Sequence, residues 1–600
     1  MSVGNVTTSS TKYAEVVMSW LKDLGYTHCF FVAGGNIMHL LDGARKTMTC
    51  IPTVHEVAAG IATEYFNESQ GEGRAFALVT AGPGVSNILT AMSGAWLESR
   101  ELLVLAGQVK SSDLAGSTLR QRGIQEIDGV ALTDSVSVNA ECVVAPWDRA
   151  RFTDAVLEGR RGRPGPTFIE FCLDAQGAPT VAAELETSSD DWTGPGDEMV
   201  DAARNAVDEV HRLTAEAQRP IWLIGGGITR TTSVAVHDEL LRSGVPVMTT
   251  WNGMDRFPAN APNYVGRPNT WGQRSANLLL AQADLIVAFG TRLGLQQTGF
   301  NWQEFGLGAT VVQVDIDPAE LKKGHPKVDL PLQADANALL QGLVALDYPD
   351  VGGWLAYCRE VRDLLPVREE ANTTGDGYVC PYRFFLDLSN VAGPDDVLIP
   401  CSSGGANSVA MQTIQQKWGQ VVITDKGLAA MGYGLSGAIG AALGHPGRRT
   451  YLVEGDGGFA QNLQELATVA VNNLDLKSFI FANEGYGSIR MTQKNYFDGA
   501  YLGCDTETGL GFPDWHKLFD AYGIPIMTIG PGWADDEDIR RALDSSGPHG
   551  LVVPIDPLQT YWPKIMSRVT ETGSMESNPL HRMSPDIEPD IAKFVFRYLP

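Results

Sequence analysis

The sequence predicts an α/β protein of three doubly wound, parallel-sheet domains, and three observations carry that expectation. At 600 residues the chain is too long for one hydrophobic core, and a prior of about 150 residues per domain gives three or four units. Short apolar or β-branched runs alternate with longer stretches of helical spacing, the pattern of βαβ units. Two polar, acidic stretches near 178–198 and 368–379 interrupt the alternation and read as linkers. The expected units are 8–178, 196–346 and 378–562, followed by a tail, 563–600.

In the first unit the buried strands are read from AFALVT and ELLVLAG. In the second they come from PIWLIGGG, ADLIVAFG and TVVQVDID, and in the third from DVLIP, RTYLVEG and SFIFAN. No short-period repeat suggests a solenoid. The tail is polar and contains prolines until the apolar IAKFVFRYLP, so it reads either as a frayed end or as an arm that docks on the body.

Composition narrows the function. With 44% apolar and 19% charged residues, the chain is an ordinary globular protein rather than a disordered one. A balance of 45 basic against 71 acidic residues, −26 in all, opposes binding to a phosphate backbone or an anionic bilayer, so neither nucleic acid nor membrane is an expected partner. The eight cysteines form no C-x-x-C pair and read as thiols in a reducing compartment. No basic region followed by an apolar segment opens the chain, and a cytoplasmic protein is expected. GLAAMGYGLSGAIGAALG is dense in Gly and Ala, which suits close helix packing in a soluble core better than lipid contact.

The most informative stretch is YLVEGDGGFAQNLQELATVAVNNLDLKSFIFANEG. A buried strand runs into a glycine turn, a helical pattern follows, and a second strand ends on Asn483. Two parallel strands deliver their C-terminal ends to one sheet edge, where open α/β folds bind ligands, so Asp456 and Asn483 should meet there. A carboxylate, an amide oxygen and the Gly485 carbonyl would offer Mg²⁺ three hard oxygens and leave its other positions for phosphate and water. Gly455, Gly457 and Gly458 remove side chains where backbone must approach an anion. The plain alternative is a βαβ turn whose Asp caps a helix.

With Asn-x-Gly after the next strand, the chain resembles the thiamine diphosphate (ThDP) enzymes of the acetolactate synthase and pyruvate decarboxylase group. The resemblance extends over about residues 11–560 and several motifs: VHEVAAGIATEYF, LVTAGPGVSN, AGQV, IQEID, RPGPTFIEF and GLAAMGYGLSGAIGA. It implies that the three domains bind the cofactor's pyrimidine, serve as a central domain, and bind its diphosphate. It implies ThDP and Mg²⁺ as cofactors, with metal ligands Asp456, Asn483 and Gly485. Glu56 falls on the catalytic glutamate that works at the aminopyrimidine, and Gln125 and Met431 complete the implied catalytic set, Met431 as the wedge that bends the cofactor. Further implied cofactor contacts are Gly34, Pro83 and Asn87 in the first unit, then Ser402, Ser403, Gly404, Gly405 and the Ala429 carbonyl. Gly455, Gly457, Gly458, Tyr486, Gly487 and Ser488 complete them. In this group a site forms between the first domain of one subunit and the third of its neighbour, which implies a homodimer or a homotetramer.

The middle unit resembles the flavin-carrying domain of acetolactate synthases, although many relatives keep that domain empty. An FAD there would be held by Gly225, Gly226, Gly266, Asn277, Gly290, Arg292, Asp315 and Asp317. Arg292 keeps the first arginine of the family's motif, whereas Gln296 replaces the second.

Three departures fall where the acceptor is chosen. Ser488 stands in a Met slot and Thr492 in the slot of a Trp, Ile124 replaces a Phe, and Arg100 and Glu101 replace Ile-Pro. Lost aromatic volume should open the pocket around Ile124, Gln125, Ser488 and Thr492, and NEGYGSIR, GLQQTGFNW and RPNTWGQRSAN are similar to carboligases acting on nucleotide-linked keto-sugars. The leading expectation is a ThDP-dependent lyase or transferase that decarboxylates pyruvate and adds the two-carbon unit to a ketone, including a keto-sugar. The alternatives are an acetolactate synthase, a plain decarboxylase, and a non-catalytic ThDP-bound structural or regulatory protein.

Overall fold

The computed structural model describes residues 10–71, 73–116, 118–188, 194–569 and 571–599. Positions 8 and 9 of the first expected unit, 189–193 of the first expected linker, and 570 and 600 of the tail lie outside the described residues.

Three six-stranded sheets follow one another along the chain, all with parallel pairing. In the first, the strands run in the spatial order Thr49–Pro52, Tyr26–Phe31, Arg74–Val79, Leu102–Gln108, Pro166–Cys172, Asn139–Val143. Every residue of Leu102–Gln108 and of Pro166–Cys172 is buried, as expected of strands covered by helices on both faces. In the middle sheet, Pro220–Ile224 and Leu285–Phe289 are central neighbours. In the third, the order is Val421–Val422, Val397–Ile399, Thr450–Gly455, Leu476–Ala482, His549–Pro554, Ile526–Thr528. In each sheet the chain winds first one way and then the other, so each has a switch point at which the crevice beyond the strand ends is widest. These lie between Tyr26–Phe31 and Arg74–Val79, between Pro220–Ile224 and Leu285–Phe289, and between Val397–Ile399 and Thr450–Gly455.

The Gly/Ala-rich stretch forms the helix Tyr433–Gly444, buried along its length in the core as its composition suggested. It packs on the helix Glu56–Glu68 of the first domain through positions that tolerate no side chain. A Cβ at Gly440 would lie 2.0 Å from the Ala62 carbonyl, and one at Gly437 would lie 2.5 Å from the Tyr65 ring. The first and third domains are therefore joined backbone to backbone. A buried ion network crosses the same junction and reaches the middle domain: Arg100 pairs with Glu64 at 2.8 Å, and Arg230 pairs with Glu68 at 3.0 Å and Asp255 at 2.8 Å.

The first expected linker is partly ordered onto the first domain, since Thr180 pairs with Thr11 and the Trp20 indole donates to Glu186 at 2.8 Å. The tail docks. Leu580, Met583 and Val595 are buried against the middle domain, and the Tyr357 hydroxyl donates to the Val595 carbonyl at 2.9 Å. No helix among the described residues is long and apolar enough to cross a membrane.

Candidate active site

The strand Thr450–Gly455 and its parallel neighbour Leu476–Ala482 bring Asp456 and Asn483 to one edge. Asp456 is buried at the start of the short helix Asp456–Phe459, where its Oδ1 accepts the Gly457 N–H at 2.7 Å and its Oδ2 the Asn483 N–H at 3.0 Å. Burial pushes its carboxyl up to about 7 against those two N–H groups. The Asn483 amide atom placed as oxygen lies 3.2 Å from Asp456 Oδ1 and 2.6 Å from the Gly485 carbonyl. Turned over, the amide would donate to both; oxygen inward, the three expected ligands form a set that only a cation satisfies. The residues therefore fit a hard divalent ion. Gly485 holds φ +156, and a Cβ there would meet the Cys504 carbonyl at 2.1 Å, so glycine is required for the turn that aims the carbonyl inward.

The crevice at this switch point is open. Ser403 and Gly404 begin the helix Gly404–Thr413, and a Cβ at Gly404 or Gly455 would meet nothing within 4 Å, leaving backbone amides exposed to a diphosphate. Ser402 departs from expectation, because its hydroxyl is buried and donates to the Ala430 carbonyl rather than facing the crevice. Tyr486 packs on the glycine turn, where a Cβ at Gly457 would lie 2.3 Å from its ring.

The loop before the helix Tyr433–Gly444 is held with unusual completeness. Glu98 Oε1 of the first domain accepts the N–H groups of Lys426 and Gly427, and Asp425 Oδ1 accepts those of Leu428 and Ala429, both at 3.1 Å. Ala429 adopts a left-handed φ of +55, a conformation costly for any residue with a Cβ, which explains why so many bonds fix it. Met431 follows, 38% exposed although large and apolar.

In the first domain, Glu56 opens its helix and is buried, accepting the Asn87 amide N–H at 2.9 Å. Pro83 starts the helix Pro83–Glu98 after Gly82, whose Cβ would lie 2.4 Å from the Gln125 carbonyl. That contact places the Gln125 loop beside the glycine turn, with Gln125 at φ +62. Gly34 meets the same edge, since a Cβ there would lie 2.4 Å from Thr80. Glu56, Asn87, Gly34, Pro83 and Gln125 are thus gathered at one switch point. The N–H groups of Val54 and His55 donate to Glu465 of the third domain at 3.1 and 3.0 Å, which fixes the approach to Glu56.

Of the acceptor residues, Ile124 is 86% exposed, and Ser488 and Thr492 lie exposed on the helix Gly487–Tyr496. The Thr492 hydroxyl donates to the Ser488 carbonyl at 3.0 Å, so only its lone pairs remain for a ligand. Arg100 turns away from any pocket into the buried ion network.

The middle domain differs from the expected flavin cradle at its switch point. The Gly225 N–H donates to the Phe289 carbonyl at 2.8 Å and the Gly227 N–H to the Gly290 carbonyl at 2.9 Å, and a Cβ at Gly225 would lie 2.2 Å from that carbonyl. Gly225 and Gly290 close the crevice on each other. Gly266 and Asn277 are sealed inside, with the Asn277 amide spent on Asn269 and on Met583 of the docked tail. Asp317 pairs with Arg163 at 2.6 Å. Gly226 is exposed and Gly290, Arg292, Asp315 and Asp317 are half-buried at the edge, so these five of the expected set stay accessible to a flavin, while Gly225, Gly266 and Asn277 do not.

Residues that sequence reasoning missed are Glu98, Asp425 and Glu465, whose partners are hydrogen-bonded backbone, and Tyr561, whose ring lies 2.9 Å from where a Gly405 Cβ would be. Only the position of Asp425 two residues before the Gly-rich motif hinted at a role.

Comparison with known proteins gives matches in all three domains. The families described as "Thiamine pyrophosphate enzyme, N-terminal TPP binding domain", "central domain" and "C-terminal TPP binding domain" match residues 11–132, 207–343 and 403–553. Among curated relatives, the acetolactate synthase isozyme 2 large subunit of Escherichia coli K12 is 29% identical, covering 95% of this chain and 100% of the relative. The probable acetolactate synthase large subunit of Methanocaldococcus jannaschii is 29% identical over 91% and 92% of the two chains. The chloroplastic acetolactate synthase 1 of Zea mays is 26% identical over 93% and 88%.

Proposed function

The chain is a thiamine diphosphate-dependent, 2-keto acid-decarboxylating enzyme of the acetolactate synthase and pyruvate decarboxylase superfamily, and from that premise we propose a carboligase that joins a two-carbon unit from pyruvate to a second carbonyl compound. The reading that the relatives favour is the acetolactate synthase reaction, with a second 2-keto acid as acceptor; it rests on their names and on similarity that spans both chains nearly end to end.

When bound, ThDP supplies a nucleophilic carbon at C2 of its thiazolium ring. The chain's own groups do the rest. Asp456, the Asn483 amide oxygen and the Gly485 carbonyl would hold Mg²⁺ against the diphosphate. The Ala429 carbonyl and Met431 would set the cofactor's bend, and Glu56, kept in orientation by Asn87, would exchange a proton with the aminopyrimidine nitrogen. We assign the two halves of one site to two copies of the chain; support comes from the exposure of Met431 and Ile124, which a monomer leaves to water. The same reading makes the protein a homodimer or homotetramer of the cytoplasm, in keeping with eight unpaired cysteines. A flavin would have Gly226, Gly290, Arg292, Asp315 and Asp317 within reach, and the absorption spectrum of the purified protein decides whether one is bound.

A second reading, a bulky ketone or keto-sugar as acceptor, is favoured by one observation: Ser488 and Thr492 contribute no aromatic ring to the exposed face of Gly487–Tyr496, whose ring, Tyr496, comes only at its last residue. Incubation with pyruvate, ThDP and Mg²⁺ and a choice of 2-ketobutyrate, cyclohexanone or a nucleotide-linked keto-sugar, read by mass spectrometry, separates the two. Acetolactate or acetohydroxybutyrate as the main product supports the first; a branched ketone or sugar adduct supports the second; no pyruvate consumption refutes both.

A further inference from the structure

Most buried cations in this chain have partners. Arg274 pairs with Glu369 at 2.7 Å, Arg267 donates to three carbonyl or amide oxygens, and Arg490 donates to the carbonyls of Asn483, Glu484 and Pro557. Lys564 is different. It is 7% exposed, and no carboxylate or other oxygen pairs with its ammonium among the described residues. Its neighbours are the Met491 sulfur at 3.2 Å and two indole rings, Trp562 and Trp271, with centroids 4.7 and 5.4 Å from Nζ. Ring faces recover part of the cost of taking an ammonium out of water, yet they leave its charge uncompensated. Burial accordingly holds its pKa below the ordinary lysine value.

The position is built rather than incidental. Gln412 donates one amide group to both the Gly272 carbonyl at 3.1 Å and the Pro563 carbonyl at 2.9 Å, and the Ile565 N–H donates to the Thr270 carbonyl at 3.3 Å. The backbone on each side of Lys564 is thereby sewn to the loop that carries Trp271. Met491, which touches the ammonium, lies one helical turn after Ser488 and shares its face, because residues three apart on a helix point the same way. That helix packs on Gly404–Thr413, whose first turn meets Tyr561, three residues before Lys564. An uncompensated positive charge therefore lies against the helix that carries Ser488, three residues along the chain from the Tyr561 ring that meets the first turn of Gly404–Thr413.

We propose that Lys564 recognises the anionic group of the acceptor substrate: the carboxylate of a 2-keto acid or the phosphate of a nucleotide-linked keto-sugar. This inference rests on the carboligase reading above and specifies how that site selects its second substrate. A bound anion supplies the missing counter-charge, and a neutral ketone does not.

The test uses the holoenzyme and the variants Lys564→Met and Lys564→Arg, with pyruvate consumption followed separately from ligation. In Lys564→Met the KM for an anionic acceptor should rise about 10- to 100-fold, as loss of one charge-assisted contact requires. Lys564→Arg should recover most of that loss, and the KM for neutral cyclohexanone should not rise. Whichever of 2-ketobutyrate and the keto-sugar responds identifies the source of the anion. An equal loss with cyclohexanone, or an unchanged KM for both anionic acceptors, overturns the proposal. If wild-type enzyme consumes no pyruvate, the carboligase reading fails, and equilibrium dialysis of 2-ketobutyrate and of the keto-sugar still decides the assignment of Lys564. Tighter retention by wild type than by Lys564→Met supports an anion site, and equal retention refutes it.

Discussion

Glu98→Ala should loosen the loop that presents Ala429 and Met431 without touching the cofactor crevice itself. Four consecutive N–H groups, Lys426 to Ala429, are received by two carboxylates, and the substitution removes the acceptor of two of them. A hydrogen bond to a charged acceptor contributes about 1.5–3 kcal/mol, and because Glu98 is only half-buried, water replaces part of it, so about 3 kcal/mol is the expected total for the pair. If roughly half to all of that energy is spent ordering the loop for the cofactor, ThDP affinity falls by about 10- to 100-fold. Quenching of tryptophan fluorescence on titration with ThDP at saturating Mg²⁺ measures it, with the melting temperature of the cofactor-free protein as a control for folding. A folded Glu98→Ala protein that binds ThDP within twofold of wild type would refute the reasoning, because the loop would then need no support from the first domain.

Gly440→Ala places a methyl group 2.0 Å from the Ala62 carbonyl, so the helix pair joining the first and third domains should lose about 1–3 kcal/mol, read as a lowered melting temperature; an unchanged value would show that the helices can separate freely. Burial raises Glu170 to about 7, above its unfolded value of 4.5, so folding takes up a proton there and this group adds stability as the pH falls from 8 to 6.5. The half-buried histidines whose pKa is lowered, His28 and His445, oppose this increasingly as the pH falls to and below their unfolded value of 6.5. Calorimetry should show a shallower rise over that window in Glu170→Gln than in wild type, and equal slopes would refute the assignment. Thr492→Trp restores a ring on the exposed face of Gly487–Tyr496 and should suppress ligation to cyclohexanone relative to 2-ketobutyrate; an unchanged product ratio would show that this face does not size the acceptor.

The glycine turn and Asn483 were legible because their chemistry is local: a strand end, a turn and the next strand end fix their meeting without knowledge of the rest of the chain. The helix Tyr433–Gly444 was legible for a related reason, since only small residues permit so close an approach. Glu98 and Lys426 were not, because more than 300 residues separate partners whose contact is carboxylate to backbone and leaves no pattern of side chains. Ser402 misled because a hydroxyl after a strand suits a phosphate as well as it suits a neighbouring carbonyl, and here the Ala430 carbonyl takes it. Gly225 misled similarly, serving contact with Gly290 rather than a ligand. The docked tail closes Asn277 and supplies Lys564, and its polar composition gave no sign of either role.

Deuterium exchange at C2 of protein-bound ThDP, followed by NMR after rapid acid quench, probes the proton transfer assigned to Glu56 apart from any substrate. Exchange should be fast in wild type and slowed by at least about 100-fold in Glu56→Gln, with ThDP still bound, in line with the contribution of a positioned acid–base group. Wild-type exchange no faster than that of free ThDP, or undiminished exchange in Glu56→Gln, would contradict the assignment of Glu56 and of the site built around it.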